Sequence, residues 1–78
     1  MLETKLTNTI SELFGIPPEK VGPETGRDTL PDWDSIGHLK LILEVEKAFG
    51  IRFPTAELGD LTSGAKFQEA IDRIRKAS

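Results

Sequence analysis

Apolar residues recur at helical spacing near the start of the chain. The intervals between them are 4, 4, 3 and 1 positions, which places them on one face of a helix. The residues concerned are Leu2, Leu6, Ile10, Leu13 and Phe14. Gly15 favours a left-handed helix end, and Pro17 followed by Pro18 prevents an immediate restart. The pattern therefore predicts a first helix that ends near Phe14.

A second amphipathic segment runs from Asp34 or Ser35 to about Phe49. Asp and Ser cap the free amides of a helix start, and Gly50 can end the helix. One face of this segment suits a core, and it comprises His38, Leu41, Ile42, Val45 and Phe49. The opposite face combines apolar residues with two lysines, and it comprises Ile36, Leu39, Lys40, Leu43 and Lys47. This second face is too apolar for a surface that contacts only water.

The remainder of the chain predicts two further helices. Ile51 and Phe53 flank a polar residue and indicate a short extended segment that buries both apolar side chains. Residues 55–61 predict a short helix. Thr62 or Ser63 can then cap a last helix. Its apolar face comprises Phe67, Ala70, Ile71 and Ile74.

A long loop separates the first two helices. Residues 15–33 hold three of the seven glycines and four of the five prolines, and loops of this length are often functional. We expect Trp33 to anchor this loop and His38 to hydrogen-bond a loop carbonyl at the rim of the core. The sequence thus predicts one all-α domain over residues 1–78. Its fold would be a small four-helix bundle with three main helices, a short third helix and the long loop between the first and second.

The composition narrows the class of function. A chain of 78 residues that is 37% hydrophobic can form one small core. The net charge of −3 and the lack of a basic stripe argue against nucleic-acid binding. The absence of cysteine and the single histidine exclude Cys-ligated zinc, a thiol nucleophile and a histidine-rich metal site. No bilayer-spanning apolar run and no secretory leader are recognisable, so we expect a cytoplasmic protein without membrane insertion.

Residues 32–39 read Asp-Trp-Asp-Ser-Ile-Gly-His-Leu and hold the densest candidate chemistry. Ser35 and His38 are three positions apart and could be neighbours on a helix, as a serine hydrolase would need. However, Trp33 stands where a nucleophile elbow needs its first glycine. A calcium loop fails as well, because Ile36 and the residue at the closing position offer no side-chain oxygen. We therefore expect neither catalysis nor metal binding by this segment.

Ser35 remains a candidate for covalent modification. A side chain at a helix start projects toward solvent, and the first amides of the helix favour a negatively charged group there. A phosphodiester on Ser35 would gain about 0.3–1 kcal/mol from that position. A plain helix cap formed by Asp34 and Ser35 explains the same two residues, and because such caps are common the physics of the pair alone favours the plain cap.

The central block and its flanks resemble the acyl carrier proteins. An Asp-Ser-Ile triplet is followed by a helix of aliphatic and acidic residues, a Phe-Gly-Ile sequence and a Phe-Pro pair. The matching positions are 34–36, Leu39, Leu41, 45–51 and 53–54. Similar flanks occur at 13–21 and at 70–72 with Ile74. The likeness covers nearly the whole chain, and its motifs are specific in combination.

The resemblance implies a four-helix bundle whose Ser35 is esterified with 4′-phosphopantetheine. The thiol of this arm would carry acyl groups as thioesters, so the protein would be a carrier with no catalytic residues of its own. Asp34 would cap the helix and help present Ser35 and a metal ion to the modifying enzyme. The partners would be a phosphopantetheinyl transferase, an acyl-loading ligase or acyltransferase, and a ketosynthase or another thioester-processing enzyme. The carrier itself would be a monomer.

We expect these partners to dock on the mixed face of the second helix. The recognition residues would be Ile36, Leu39, Lys40, Leu43 and Lys47. A small apolar patch surrounded by charges suits a brief contact that can be exchanged. Partial burial in the core is the alternative for Leu39 and Leu43, and for Leu39 it is an equally good interpretation; for the two lysines simple solvation is favoured over a specific pair.

The chain departs from the pattern of fatty-acid carriers. Asp32 and Trp33 precede the Asp-Ser pair, His38 follows it, and the second helix carries lysines. These differences favour a specialised stand-alone carrier for polyketide or mixed peptide-polyketide assembly over one for fatty-acid biosynthesis. An aminoacyl or D-alanyl carrier and an unmodified helical interaction module remain alternatives.

Overall fold

Three α-helices dominate the computed structural model, which describes residues 2–77 of the protein. Helix α1 spans Thr4–Phe14, α2 spans Ser35–Phe49 and α3 spans Gly64–Ala77. Two short 3₁₀ helices, Pro18–Lys20 and Thr55–Asp60, lie in the connections. The described part of the chain has no strand. The prediction of an all-α bundle with three main helices and a short third helix is confirmed, and the turn at Pro18–Lys20 is an addition to it.

The ends of α1 and α2 follow from their glycines. Gly15 has φ 67° and Gly50 has φ 65°, a left-handed conformation that costs a residue without Cβ little. The Gly15 amide donates to the Ser11 carbonyl and the Gly50 amide to the Glu46 carbonyl. Both helices therefore stop where the sequence predicts.

The three helices bury one continuous apolar core. Its buried members are Leu6, Ile10, Trp33, Leu41, Ile42, Val45, Phe53, Leu61, Phe67, Ala70 and Ile71. Phe67 lies at its centre, with its ring centroid 5.9 Å from that of Trp33 and 5.6 Å from that of Phe53. Ile51, Leu58 and Ile74 pack against the core as partly buried residues.

Phe49 is less buried than the sequence predicts. It is only half-buried, since it lies in the last turn of α2 at the edge of the bundle. Lys5 and Arg75 cover its ring instead, with Lys5 Nζ 5.3 Å and the Arg75 guanidinium carbon 5.5 Å from the centroid. The helical wheel predicts the correct side of α2 for Phe49. It does not predict the extent of burial, because that depends on how far the neighbouring helices reach over this last turn.

The long loop between α1 and α2 is ordered by hydrogen bonds to the start of α3. The Gly64 amide donates to the Thr25 carbonyl (2.8 Å), and the Ala65 amide donates to the Pro23 carbonyl (2.9 Å). The Arg27 amide donates to the Thr62 carbonyl (3.2 Å). Carbonyl groups of the loop therefore accept from first-turn amides of α3 that would otherwise lack partners. These bonds hold the loop that leads into α2 against the start of α3.

Charged groups join the beginning of α1 to the end of α3. Arg75 donates to both carboxylate oxygens of Glu3, at 2.9 and 2.6 Å. The Arg75 hydrogen bond is the main cause that lowers the pKa of the Glu3 carboxyl below its ordinary value. Both side chains are partly exposed, so this pair adds little to stability.

Candidate functional site

Ser35 opens α2 at the surface of the protein. It is the first residue of the helix, and both it and Asp34 are exposed. Asp34 is the N-cap: its Oδ1 accepts from the Gly37 amide at 2.8 Å, and its carbonyl accepts from the His38 amide at 2.7 Å. The helix start is thus held by Asp34, and the Ser35 hydroxyl is left to face solvent.

Two polar groups beside the Ser35 hydroxyl have no partner among residues 2–77. They are the backbone amides of Ser35 and Ile36, which belong to the first turn of α2. The hydroxyl itself also makes no hydrogen bond with the residues that the structure describes. A phosphate ester on this oxygen fits the site, because it would lie next to donor groups at the positive end of a helix dipole.

Gly37 allows the preceding loop to lie against the first turn of α2. A Cβ atom at Gly37 would be 2.2 Å from the Asp32 carbonyl oxygen and 3.1 Å from Cε1 of Phe14. The loop could not approach this closely if residue 37 had a side chain. The helical pattern does not predict this contact, although a glycine inside such a pattern is a signal for a close approach.

Trp33 anchors the end of the loop inside the core, as predicted. Its side chain is 1% exposed. Its ring stacks on that of Phe14, with centroids 5.5 Å apart and planes at 15°. Its Nε1–H donates to Nδ1 of His38 at 2.9 Å. The polar end of this large buried side chain is therefore satisfied.

His38 forms the predicted hydrogen bond to a backbone carbonyl, but that carbonyl lies in the 3₁₀ helix Thr55–Asp60 and not in a loop. An indole N–H can only donate, so Nδ1 of His38 must be the acceptor for Trp33 and Nε2 must carry the proton. That Nε2–H donates to the carbonyl oxygen of Leu58 at 2.7 Å. Both ring nitrogens are thus engaged away from Ser35. The two residues do not form the serine–histidine pair that a hydrolase would need.

Exposed apolar side chains continue along α2 from the Ser35 end. Ile36, Leu39 and Leu43 are 67%, 55% and 57% exposed, and they are three and four positions apart. Lys40 and Lys47 are exposed on the same helix. The alternative interpretation of Leu39 as a partly buried core residue is wrong, because Leu41 and Ile42 occupy the inward positions of that turn.

A shallow groove of about 290 Å³ adjoins the start of α2. Its walls combine apolar side chains of α1 with acidic residues of the loop and one lysine. They are formed by Leu13, Phe14, Asp32, Asp34, Ile36, Gly37 and Lys40. The residues on either side of Ser35 in the sequence, Asp34 and Ile36, therefore line an open groove of mixed polar and apolar character.

Within residues 2–77, no cluster of three or more His, Asp or Glu side chains is placed to hold a metal ion. None of the helices in the same range has the length and apolar content of a bilayer span.

The chain is similar to a curated acyl carrier protein. No protein-family model matches it. The "Acyl carrier protein" of Acidothermus cellulolyticus is 32% identical to it over 75 residues. The aligned part covers 96% of this chain and 86% of that protein, so the similarity includes all three helices and the loop before Ser35. With this identity over almost its whole length, the chain belongs to the acyl carrier protein family.

Proposed function

We propose that this protein carries acyl groups on a 4′-phosphopantetheine arm attached to Ser35. The observation that carries the proposal is the exposed Asp34–Ser35 pair at the start of α2 in a chain of the acyl carrier protein family. The family relationship supports a carrier role rather than a catalytic one. The engagement of both His38 ring nitrogens with Trp33 and Leu58 agrees with this role, since this imidazole is not paired with the Ser35 hydroxyl.

The arm would supply a terminal thiol, which this cysteine-free chain lacks. The protein's residues contribute position and access. Asp34 holds the first turn of α2, Ser35 presents its oxygen to solvent, and the amides of Ser35 and Ile36 lie where a phosphate ester would need donors. Activation of the Ser35 hydroxyl would take place in the modifying enzyme.

The exposed side of α2 is the proposed docking surface. It consists of Ile36, Leu39, Lys40, Leu43 and Lys47. Three large apolar side chains exposed along one helix, with lysines beside them, suit partners that bind for a short time and then leave. The surface begins next to Ser35, so an enzyme bound to it would have the attached arm within reach.

We propose polyketide, mixed peptide-polyketide or fatty-acid biosynthesis as the pathway, in a stand-alone carrier. Trp33, His38 and the lysines of α2 distinguish this chain from the usual fatty-acid carriers and favour the first two. The partners would be a phosphopantetheinyl transferase, an acyl-loading ligase or acyltransferase, and a ketosynthase or another thioester-processing enzyme.

A modification assay tests the attachment. The purified apo-protein is incubated with coenzyme A, Mg²⁺ and a broad-specificity phosphopantetheinyl transferase, and its intact mass is measured. We expect the addition of one arm to the wild type and none to Ser35→Ala. Ser63→Ala is the matched control, since Ser63 is also a serine at a helix start, with its Oγ accepting from the Lys66 amide. This control should be modified like the wild type.

The assay also separates the alternatives. An unmodified wild type, beside another carrier that the same transferase modifies, would contradict the proposal and favour an unmodified interaction module. If the arm is added, loading with acyl adenylates or with aminoacyl adenylates distinguishes an acyl carrier from an aminoacyl or D-alanyl carrier.

A further inference from the structure

We propose that Trp33 and His38 act as positioning residues for Ser35. They do so through a clamp that consists of the Trp33 indole, the His38 imidazole and the Leu58 carbonyl. This inference rests on the proposed function of Ser35 and adds to it the groups that hold the attachment oxygen in place. Neither residue touches the arm or its donor in this proposal.

The clamp joins three segments of the chain at one buried imidazole. Nδ1 of His38 accepts from Trp33 in the loop, and Nε2 donates to Leu58 in the 3₁₀ helix Thr55–Asp60. The backbone amide of the same histidine donates to the Asp34 carbonyl. His38 therefore ties the loop before Ser35, the first turn of α2 and the connection between α2 and α3 to one another.

Ser35 depends on its neighbours for its position, because its own side chain is bonded to none of the described residues. It is exposed at the junction between a long loop and a helix, where a chain segment readily moves. Trp33 lies two positions before it and His38 three positions after it, and both are buried. The clamp thus links a residue before Ser35 to a residue after it, and Ser35 is the residue that the transferase must reach.

The hydrogen bonds of the clamp fix the relative arrangement of the indole and imidazole rings, which apolar packing alone would not do. The indole N–H and both imidazole nitrogens are satisfied by one arrangement, and a shift of either ring would leave a buried polar group without its partner. Phe14 covers one face of the indole, and Phe67 packs against both Trp33 and His38. The rings therefore have little freedom to exchange one set of contacts for another.

Three variants test the clamp. His38→Leu removes both ring hydrogen bonds and keeps an apolar side chain. Trp33→Phe keeps an aromatic ring but removes the indole donor. His38→Gln is the conservative rescue, because its amide oxygen can accept from the indole and its amide nitrogen can donate to the Leu58 carbonyl.

Phe53→Leu is the control for a general loss of stability. Phe53 is a buried core residue that contacts Phe67, and it has no bond to the clamp. All proteins are assayed at a temperature at which circular dichroism shows each of them to be folded, so that a change in rate does not report unfolded protein.

The first readout is the kinetics of arm transfer from coenzyme A by the phosphopantetheinyl transferase. We expect His38→Leu and Trp33→Phe to lower kcat about tenfold, because a misplaced nucleophile slows the chemical step. KM for the carrier should change by less than about twofold, since the docking surface on α2 is unaltered. His38→Gln should recover most of the rate, and Phe53→Leu should behave like the wild type.

The second readout is the indole N–H signal of Trp33 in a ¹H–¹⁵N spectrum. The chain has one tryptophan, so this signal is unambiguous. We expect slow exchange with solvent in the wild type and in His38→Gln, and a shifted, faster-exchanging signal in His38→Leu. This readout does not depend on modification of Ser35.

The outcomes separate the clamp from the proposed function. If the wild type is modified and His38→Leu loses no more kcat than Phe53→Leu, the positioning role is wrong and the attachment stands. If the wild type is not modified while a control carrier is, both the attachment and the positioning role are wrong, even where the indole signal shows the hydrogen bond.

Discussion

Asp34 shows how a single residue determines the start of α2. Its side chain accepts from the Gly37 amide, which is the cap that the sequence predicts for an Asp directly before an amphipathic segment. The Asp34 side chain is exposed and bonds an amide only three positions further along, so the cap itself is local in sequence, whereas Gly37 also packs against Asp32 and Phe14.

Asp34→Ala should lower the free energy of unfolding by about 1 kcal/mol, because the Gly37 amide loses its partner. Urea unfolding followed by circular dichroism measures the change. Asp32→Ala is the matched control, since it removes the same charge two positions earlier from an exposed residue without a cap bond. An equal loss in both variants would mean that charge rather than capping stabilises the helix start.

Trp33 and His38 show the limit of prediction at the scale of one residue. The sequence suggests that Trp33 anchors the loop, which is confirmed, and that His38 bonds a loop carbonyl, whereas the structure gives it a carbonyl in the 3₁₀ helix Thr55–Asp60. It does not predict that the two bond each other, or that the carbonyl belongs to Leu58. Gly37 is a second example. A side chain is excluded at this position only because Asp32 and Phe14 lie against it in the folded protein.

At the scale of elements, α2 has one face that packs in the core and one that is exposed. The inward face follows the predicted helical pattern except at Phe49, which reaches only the edge of the core. The outward face carries Ile36, Leu39 and Leu43, and its exposure supports a surface for partners. The amphipathic pattern distinguishes these faces because residues three and four positions apart share one side of a helix.

Leu43→Ala should raise KM for the carrier in the transferase assay about tenfold, because truncation of an apolar contact residue weakens docking without moving Ser35. The free energy of unfolding should change by less than about 0.5 kcal/mol, since the side chain is already exposed. Lys66→Ala, an exposed truncation on α3, should leave KM unchanged. A KM for Leu43→Ala equal to that of the wild type would remove Leu43 from the docking surface.

For the molecule as a whole, stability depends on the aromatic residues at the centre of the core. A small domain buries a modest share of its surface, so the loss of one large side chain is a large part of its stability. Phe67 is fully buried and its ring neighbours Trp33, His38 and Phe53. It is the point where α3 contacts both the loop and α2.

Phe67→Ala should cost about 3–5 kcal/mol and leave the protein unfolded or without fixed tertiary packing. Phe49→Ala should cost less, because its ring is half-buried beneath two cationic side chains. Thermal unfolding followed by near-ultraviolet circular dichroism measures both. If Phe49→Ala were the more damaging of the two, the edge of the bundle would matter more to folding than its centre.

The sequence by itself determines the three helices, their ends at Gly15 and Gly50, the inward side of each and the position of Ser35 at a helix start. These features depend on residues within a few positions of one another, so local periodicity and capping are sufficient to predict them. Only the tertiary structure decides which carbonyl His38 bonds, which amides hold the long loop and how far Phe49 is buried. Each of these depends on groups that are distant along the chain and meet only when the helices pack.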